Sequence, residues 1–115
     1  MILEIRTYRA VPGRLDDLVV RMRAVLPMLS EVGIDVVALE PSLDEDEGEH
    51  AVLIRSFASR ADRDRLEEAF YGSEAWRSGP RDGVMELIES YHTVVLDLPD
   101  DAVRALSDAL SPSFR

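Results

Sequence analysis

Glu4, Arg6 and Tyr8 alternate along the opening run, residues 2–9, which places them on one face of an extended chain with about 7 Å between neighbours. That spacing suits an ion pair between Glu4 and Arg6 or a ligand shared between them. Arg55 has the parity of Leu53 and Phe57 and is expected on the same face as the Glu4 row. Its planar donors match a carboxylate or a phenolate, and a salt bridge is the alternative. His92 carries the side chain best suited to take a proton from a phenolic or enolic substrate near neutral pH. Tyr91 shares its strand face with Glu89, whereas His92 shares the other with Ser90 and Val94, so one of the two enters a cleft and the other does not. Trp76 lies close in sequence to Phe70 and Tyr71, an aromatic group that caps one end of a core or borders a ligand. The candidates are therefore His92 and Tyr91 for proton transfer, with Glu4, Arg6, Tyr8, Arg55 and Trp76 for ligand binding. If so, alanine at Arg6 or Arg55 should abolish binding and leave the fold intact.

Other clusters carry less. The acidic residues 44–49 crowd carboxylates beside Gly48, but a calcium loop needs glycine sixth and a bidentate Glu twelfth. Here Gly48 is fifth and Arg55 is twelfth, so a solvated hairpin tip is expected. His50 borders it and is expected in water. No metal site follows, and no glycine-rich phosphate loop, zinc-protease helix or serine elbow is present. No cofactor is implied.

These residues need elements to hold them. Leu3 and Ile5 alternate with the polar row and are expected to meet the helices, leaving Glu4, Arg6 and Tyr8 on the open face. Leu15, Leu18, Val19, Met22, Val25, Leu26, Leu29 and Val32 recur at helical spacing, with Pro12 near the first turn and Gly33 at the end. Pro27 is expected to kink that helix or end its regular part. Residues 34–39 and 51–57 read as strands joined by the acidic hairpin. Ser59 caps a second helix whose apolar stripe is Leu66, Ala69 and Phe70. Residues 72–83 read as short helical turns between breakers, and residues 85–98 contain the last strand. Pro99, Asp100 and Asp101 open a tail with helical spacing at Ala102, Val103, Leu106, Ala109 and Leu110. The expected fold is α+β, a ferredoxin-like βαββαβ unit over residues 1–98 with an antiparallel sheet, plus a helical tail over residues 99–115.

Composition sets the outer limits. At 115 residues, one core is within reach with little surplus area for a deep internal pocket, so a second copy is a plausible source of a missing wall. The net charge of −10 repels nucleic acid and anionic membranes. All 13 basic residues are arginine, and there is no cysteine, which excludes disulfides and thiolate chemistry. Charges within the first six residues argue against a signal peptide, and no run reaches the roughly 18 apolar residues of a membrane span. A cytoplasmic location is expected.

The opening LEIRTYRAVPGRLDDLV, with Glu4, Arg6, Tyr8, Pro12 and Gly13, then IRSFASRADRDRLEEAF with Ser59 and Arg63, Trp76, and the ending ESYHTVVLDLP together resemble the NIPSNAP family over roughly residues 2–99. The resemblance implies the dimeric α+β barrel superfamily and a homodimer with a cleft between sheet and helices or at the subunit boundary. Relatives on that fold include antibiotic-biosynthesis monooxygenases, and fold alone does not choose among chemistries. The expected function is the binding of a small, partly apolar metabolite by a homodimer. Cofactor-independent oxygenation or cyclisation of an aromatic or polyketide-like substrate is the second reading, and a ligand-free interaction dimer is the third.

Overall fold

The computed structural model describes residues 1–43 and 48–110; most of the acidic run proposed as a hairpin tip, residues 44–47, lies outside them. The element order is β1 (Ile2–Ala10), α1 (Leu15–Glu31), β2 (Asp35–Pro41), β3 (His50–Phe57), α2 (Arg60–Tyr71), α3 (Glu74–Arg77), α4 (Arg81–Met85), β4 (Ile88–Asp97) and α5 (Asp100–Leu110). The strands form one antiparallel sheet in the order β2-β3-β1-β4. This is the ferredoxin-like arrangement expected from the sequence, with the additional C-terminal helix.

Local chemistry accounts for the element ends. At the close of α1, the Ile34 amide donates to the Leu29 carbonyl and the Gly33 amide to that of Ser30, both at 3.0 Å. Gly33 supplies the φ of 93° that this paired cap requires, and Ile34 is buried behind it. The Ser59 hydroxyl accepts from the Asp62 amide at 3.1 Å and starts α2. Pro12 lies in the turn just before α1, near its first turn as expected, and one expectation changes. The helix runs through Pro27 to Glu31, because Leu26, Met28 and Leu29 keep packing on the core while the proline itself faces solvent.

The larger correction concerns the faces of the sheet. Leu3 packs with Val37 and the α5 residue Val103, flanked by Ile5, Ile54, Leu98 and Leu110. Tyr8 and Leu53 belong instead to the main core with Leu18, Met22 and Phe70. Glu4, Arg6 and Tyr8 therefore point at α1 and α2, and the Leu3/Ile5 face is the one those helices leave bare, the reverse of the sequence expectation. Alternation separates two faces without saying which one a helix covers. Here α2 brings its own charged side chains to the polar row, which makes burial of that row tolerable. On the other face α5 covers one side, and Val94, Leu96 and Leu106 remain 38–40% exposed. No helix among the described residues is long and apolar enough to cross a membrane.

Candidate functional site

Register brings the charged residues of the sheet together. Glu4 pairs across the strands with Arg55 on β3, Arg6 with Thr93 on β4, and Tyr8 with Tyr91 on β4. Above them, α2 presents Arg63, Glu67 and Tyr71, one residue per turn along a single stripe. Arg55 donates through Nε to Glu4 Oε1 at 2.8 Å and through one terminal nitrogen to Glu67 Oε1 at 2.7 Å. Its other terminal nitrogen donates to the Tyr71 hydroxyl at 3.0 Å. Arg63 Nε donates to Glu4 Oε2 at 2.7 Å and lies 3.0 Å from Glu67 Oε2. Arg6 donates to the Thr93 hydroxyl at 3.0 Å and to Tyr71 and Glu67, each at 3.2 Å. Three guanidiniums thus surround two carboxylates, and the side chains of both Glu4 and Arg55 are 0% exposed.

The two carboxyls are shifted in opposite directions. Burial alone would push Glu4 up, but the Arg55 charge and the hydrogen bonds involving Glu67, Arg63 and Arg55 more than offset it and hold Glu4 below its ordinary value of 4.5. Glu67 is pushed up, by burial and then by its hydrogen bond with Glu4. The depressed Glu4 therefore contributes stability that is present above pH 4.5 and lost as the pH falls through its folded-state pKa. Glu67 contributes in the opposite sense, favouring the folded state below its ordinary value and losing that contribution as the pH rises. Comparing melting temperatures on acidification, the wild-type chain should lose stability more steeply below pH 4.5 than Glu4→Gln does. Parallel curves would show that Glu4 does not titrate as its surroundings require.

Beside this cluster a cleft of about 510 Å³ opens between the sheet and the helices. Its apolar wall is Met22, Val25, Leu26 and Leu29 from α1, Leu53 from β3, Phe70 from α2, and Val84 and Met85 from α4. Its polar corner is Arg6, Tyr8, Glu67, Tyr71 and Tyr91, with Trp76 packed against Tyr71, and Glu68 and Arg81 also line it. Trp76 is held there by α3, whose first turn is capped where the Trp76 amide donates to the Ser73 hydroxyl at 3.2 Å. Phe70 and Tyr71 pack on the indole at centroid distances of 5.2 and 5.7 Å. Arg21 of α1 donates to the Gly83 carbonyl at 2.5 Å and to Glu86 at 2.9 Å, which ties α4 over the cleft. The Tyr8 hydroxyl keeps its proton. Burial, then neighbouring Tyr71, raise its pKa, and Arg6 beside it offsets only part of the rise.

The residues proposed from sequence separate into three groups. Arg6, Tyr8, Trp76 and Tyr91 line the cleft. Glu4 and Arg55 are fully enclosed behind it and act on the cleft through Arg6, Glu67 and Tyr71. His92 pairs with Thr7 on the opposite face of the sheet, exposed and away from the cleft. His50 has its ring 2.8 Å from the Gly48 carbonyl. Sequence reasoning missed Glu67 and the joint role of Arg63 and Tyr71. It placed the stripe of α2 on Leu66, Ala69 and Phe70, yet Ala69 is exposed. The spacing of Arg63, Glu67 and Tyr71 was the available signal, and it becomes meaningful only once a charged strand face lies beneath it. Among the described residues no group of His, Asp or Glu side chains is arranged to hold a metal ion.

No protein-family model and no curated protein matches the sequence, whereas solved structures do. An uncharacterised NIPSNAP domain protein from Burkholderia xenovorans superposes with a TM-score of 0.77 at 15% identity, covering 87% of this chain and 96% of that one. A NIPSNAP family protein of unknown function from Agrobacterium tumefaciens gives 0.69 at 26% identity over 84% and 86%. A crystal structure described as an antibiotic biosynthesis monooxygenase gives 0.59 at 16% identity over 86% and 99%. The chain's structural neighbours thus include NIPSNAP family proteins, as the sequence resemblance implied, and its fold is theirs.

Proposed function

We propose that this chain is a NIPSNAP-type homodimer that binds a small, partly apolar, anionic metabolite in the cleft between sheet and helices. The cleft itself carries the reading. A cavity of about 510 Å³ is large enough for a ligand of metabolite size. Its long wall is aliphatic, and the cluster at its polar corner holds three guanidiniums against two carboxylates, an excess of one positive charge when both acids are ionised, while Glu68 and Arg81, which also line the cleft, offset one another. An apolar body with an acidic end fits that division. Pairing is supported separately, by the apolar sheet face that α1 and α2 leave uncovered.

Binding of 2-naphthoate, followed by its fluorescence, tests the cleft directly. Leu26 is half-buried on the rim, so Leu26→Trp should fill the cleft from its edge and abolish binding with little change in melting temperature. Undiminished binding would place the ligand elsewhere.

A second reading, cofactor-independent oxygenation or cyclisation, draws on the neighbour described as an antibiotic biosynthesis monooxygenase. In that reading proton transfer falls to Tyr91 on the cleft wall, since His92 is on the other side of the sheet. His92→Ala should then leave any turnover unchanged.

A further inference from the structure

The Tyr71 hydroxyl occupies a position that its ring packing does not explain. Two guanidiniums donate to the same phenolic oxygen, Arg55 at 3.0 Å and Arg6 at 3.2 Å. Arginine has donors only and is charged throughout the accessible pH range, so neither partner accepts the hydroxyl proton. With its oxygen approached by two cations, the O–H bond is turned away from both, and Tyr71 forms part of the cleft wall. The ring cannot swing to another position, because Phe70 and Trp76 meet it edge-on at 5.0 and 5.7 Å. Both arginines stack near its face, each 5.8 Å from the centroid.

We propose that Tyr71 is the principal hydrogen-bond donor of the ligand site, presenting its O–H to a carbonyl or carboxylate oxygen of a planar aromatic ligand. Arg55 is a positioning residue in this arrangement. It is enclosed, reaches no ligand, and acts by fixing the phenol. Arg6 has a double part, holding the phenol and adding its own charge at the edge of the cleft, where its side chain is 13% exposed. A phenol that donates while accepting from two cations is a stronger donor than a free one, because each accepted bond polarises the O–H. The seat therefore favours an oxygen bearing negative charge over a neutral carbonyl, and a neutral carbonyl over a hydrocarbon. The aromatic remainder of the ligand lies along Met22, Val25 and Leu29 of the cleft wall.

This inference rests on the cleft reading above, and three probes separate the two. They are 2-naphthoate, 2-acetylnaphthalene and 2-ethylnaphthalene, which share a ring system and differ in the oxygen offered. The wild-type chain should bind them in that order, with at least about tenfold between the ketone and the hydrocarbon, the size expected of one hydrogen bond to a strongly polarised donor. Tyr71→Phe keeps the ring and removes the donor. It should weaken the naphthoate and the ketone by about tenfold or more and leave 2-ethylnaphthalene unchanged, which also reports that the cleft is still formed. If the wild-type chain binds none of the three, the cleft reading falls and this one with it. Equal wild-type affinity for the ketone and the hydrocarbon, or unchanged ketone binding in Tyr71→Phe, overturns the Tyr71 assignment alone. The wild-type comparison decides the matter even if the variant does not fold.

Discussion

Arg55→Met should destabilise the chain by roughly 3–5 kcal/mol in chemical denaturation, the cost of stripping a buried charge of its partner. The carboxylate of Glu4 has no access to water, and Arg55 hydrogen-bonds Glu4, Glu67 and Tyr71 at 2.7–3.0 Å, closer than Arg6, which lies 3.8 Å from Glu4 and 3.2 Å from Glu67 and Tyr71. Without it, two carboxylates face each other across the core with Arg63 and Arg6 as their remaining counter-charges. Of the two roles the sequence allows Arg55, ligand contact or salt bridge, its ion pairs with Glu4 and Glu67 match the second. Glu4→Leu in the same background should recover much of the loss, because the acid left unpaired is then gone and the arginines retain Glu67. The coupling between the two sites should be on the order of 1–3 kcal/mol. A single substitution costing less than about 1 kcal/mol, within the range of exposed ion pairs, would mean that water reaches Glu4 and that the network is not sealed.

The same residues show where legibility in the sequence ended. Element types followed from local rules. Gly33 had to follow a helix, Ser59 had to precede one, and residues 2–9 alternated too regularly to be anything but a strand. The pairing of Glu4 and Arg55 on one face was legible from parity alone. The identity of the buried face was not, because charges are expected to avoid the helix-covered side of a sheet. That assumption holds for isolated charges and fails when the covering helix carries complementary ones. Arg63, Glu67 and Tyr71 are ordinary surface residues when α2 is considered alone, whereas Leu66 and Phe70 pack on the core as their spacing implies and Ala69 alone does not. His92 and Tyr91 were correctly seen to exclude each other, but only the register of β4 against β1 decides that Tyr91 has the cleft. The tail was legible as a helix, whereas its docking on Leu3 and Val37 depends on a face that had been assigned to the other side.

That reversal of faces puts the proposed contact between two copies on the Leu3/Ile5 side of the sheet. Val94→Asp should convert the chain from a dimer to a monomer of 12.9 kDa, measured by light scattering at micromolar concentration. Ile5 pairs with Ile54 on one side and Val94 on the other, and Leu3 pairs with Leu96, so the row is apolar across three strands. Helix α5 covers the Leu3 and Val37 part of this face, and Val94 and Leu96 remain 40% and 38% exposed. A second copy related by a two-fold axis would lay the same row against itself, as closed dimers do. In that arrangement one substitution buries two new carboxylates, one from each copy, near one another. Desolvation costs several kcal/mol for each, and every 1.4 kcal/mol is about a tenfold loss of affinity. In the monomer the same aspartate stands in water on an exposed strand, so folding should change little. A wild-type chain that is itself monomeric at that concentration would remove the pairing from the proposal and leave the cleft, which is built within one chain, untouched.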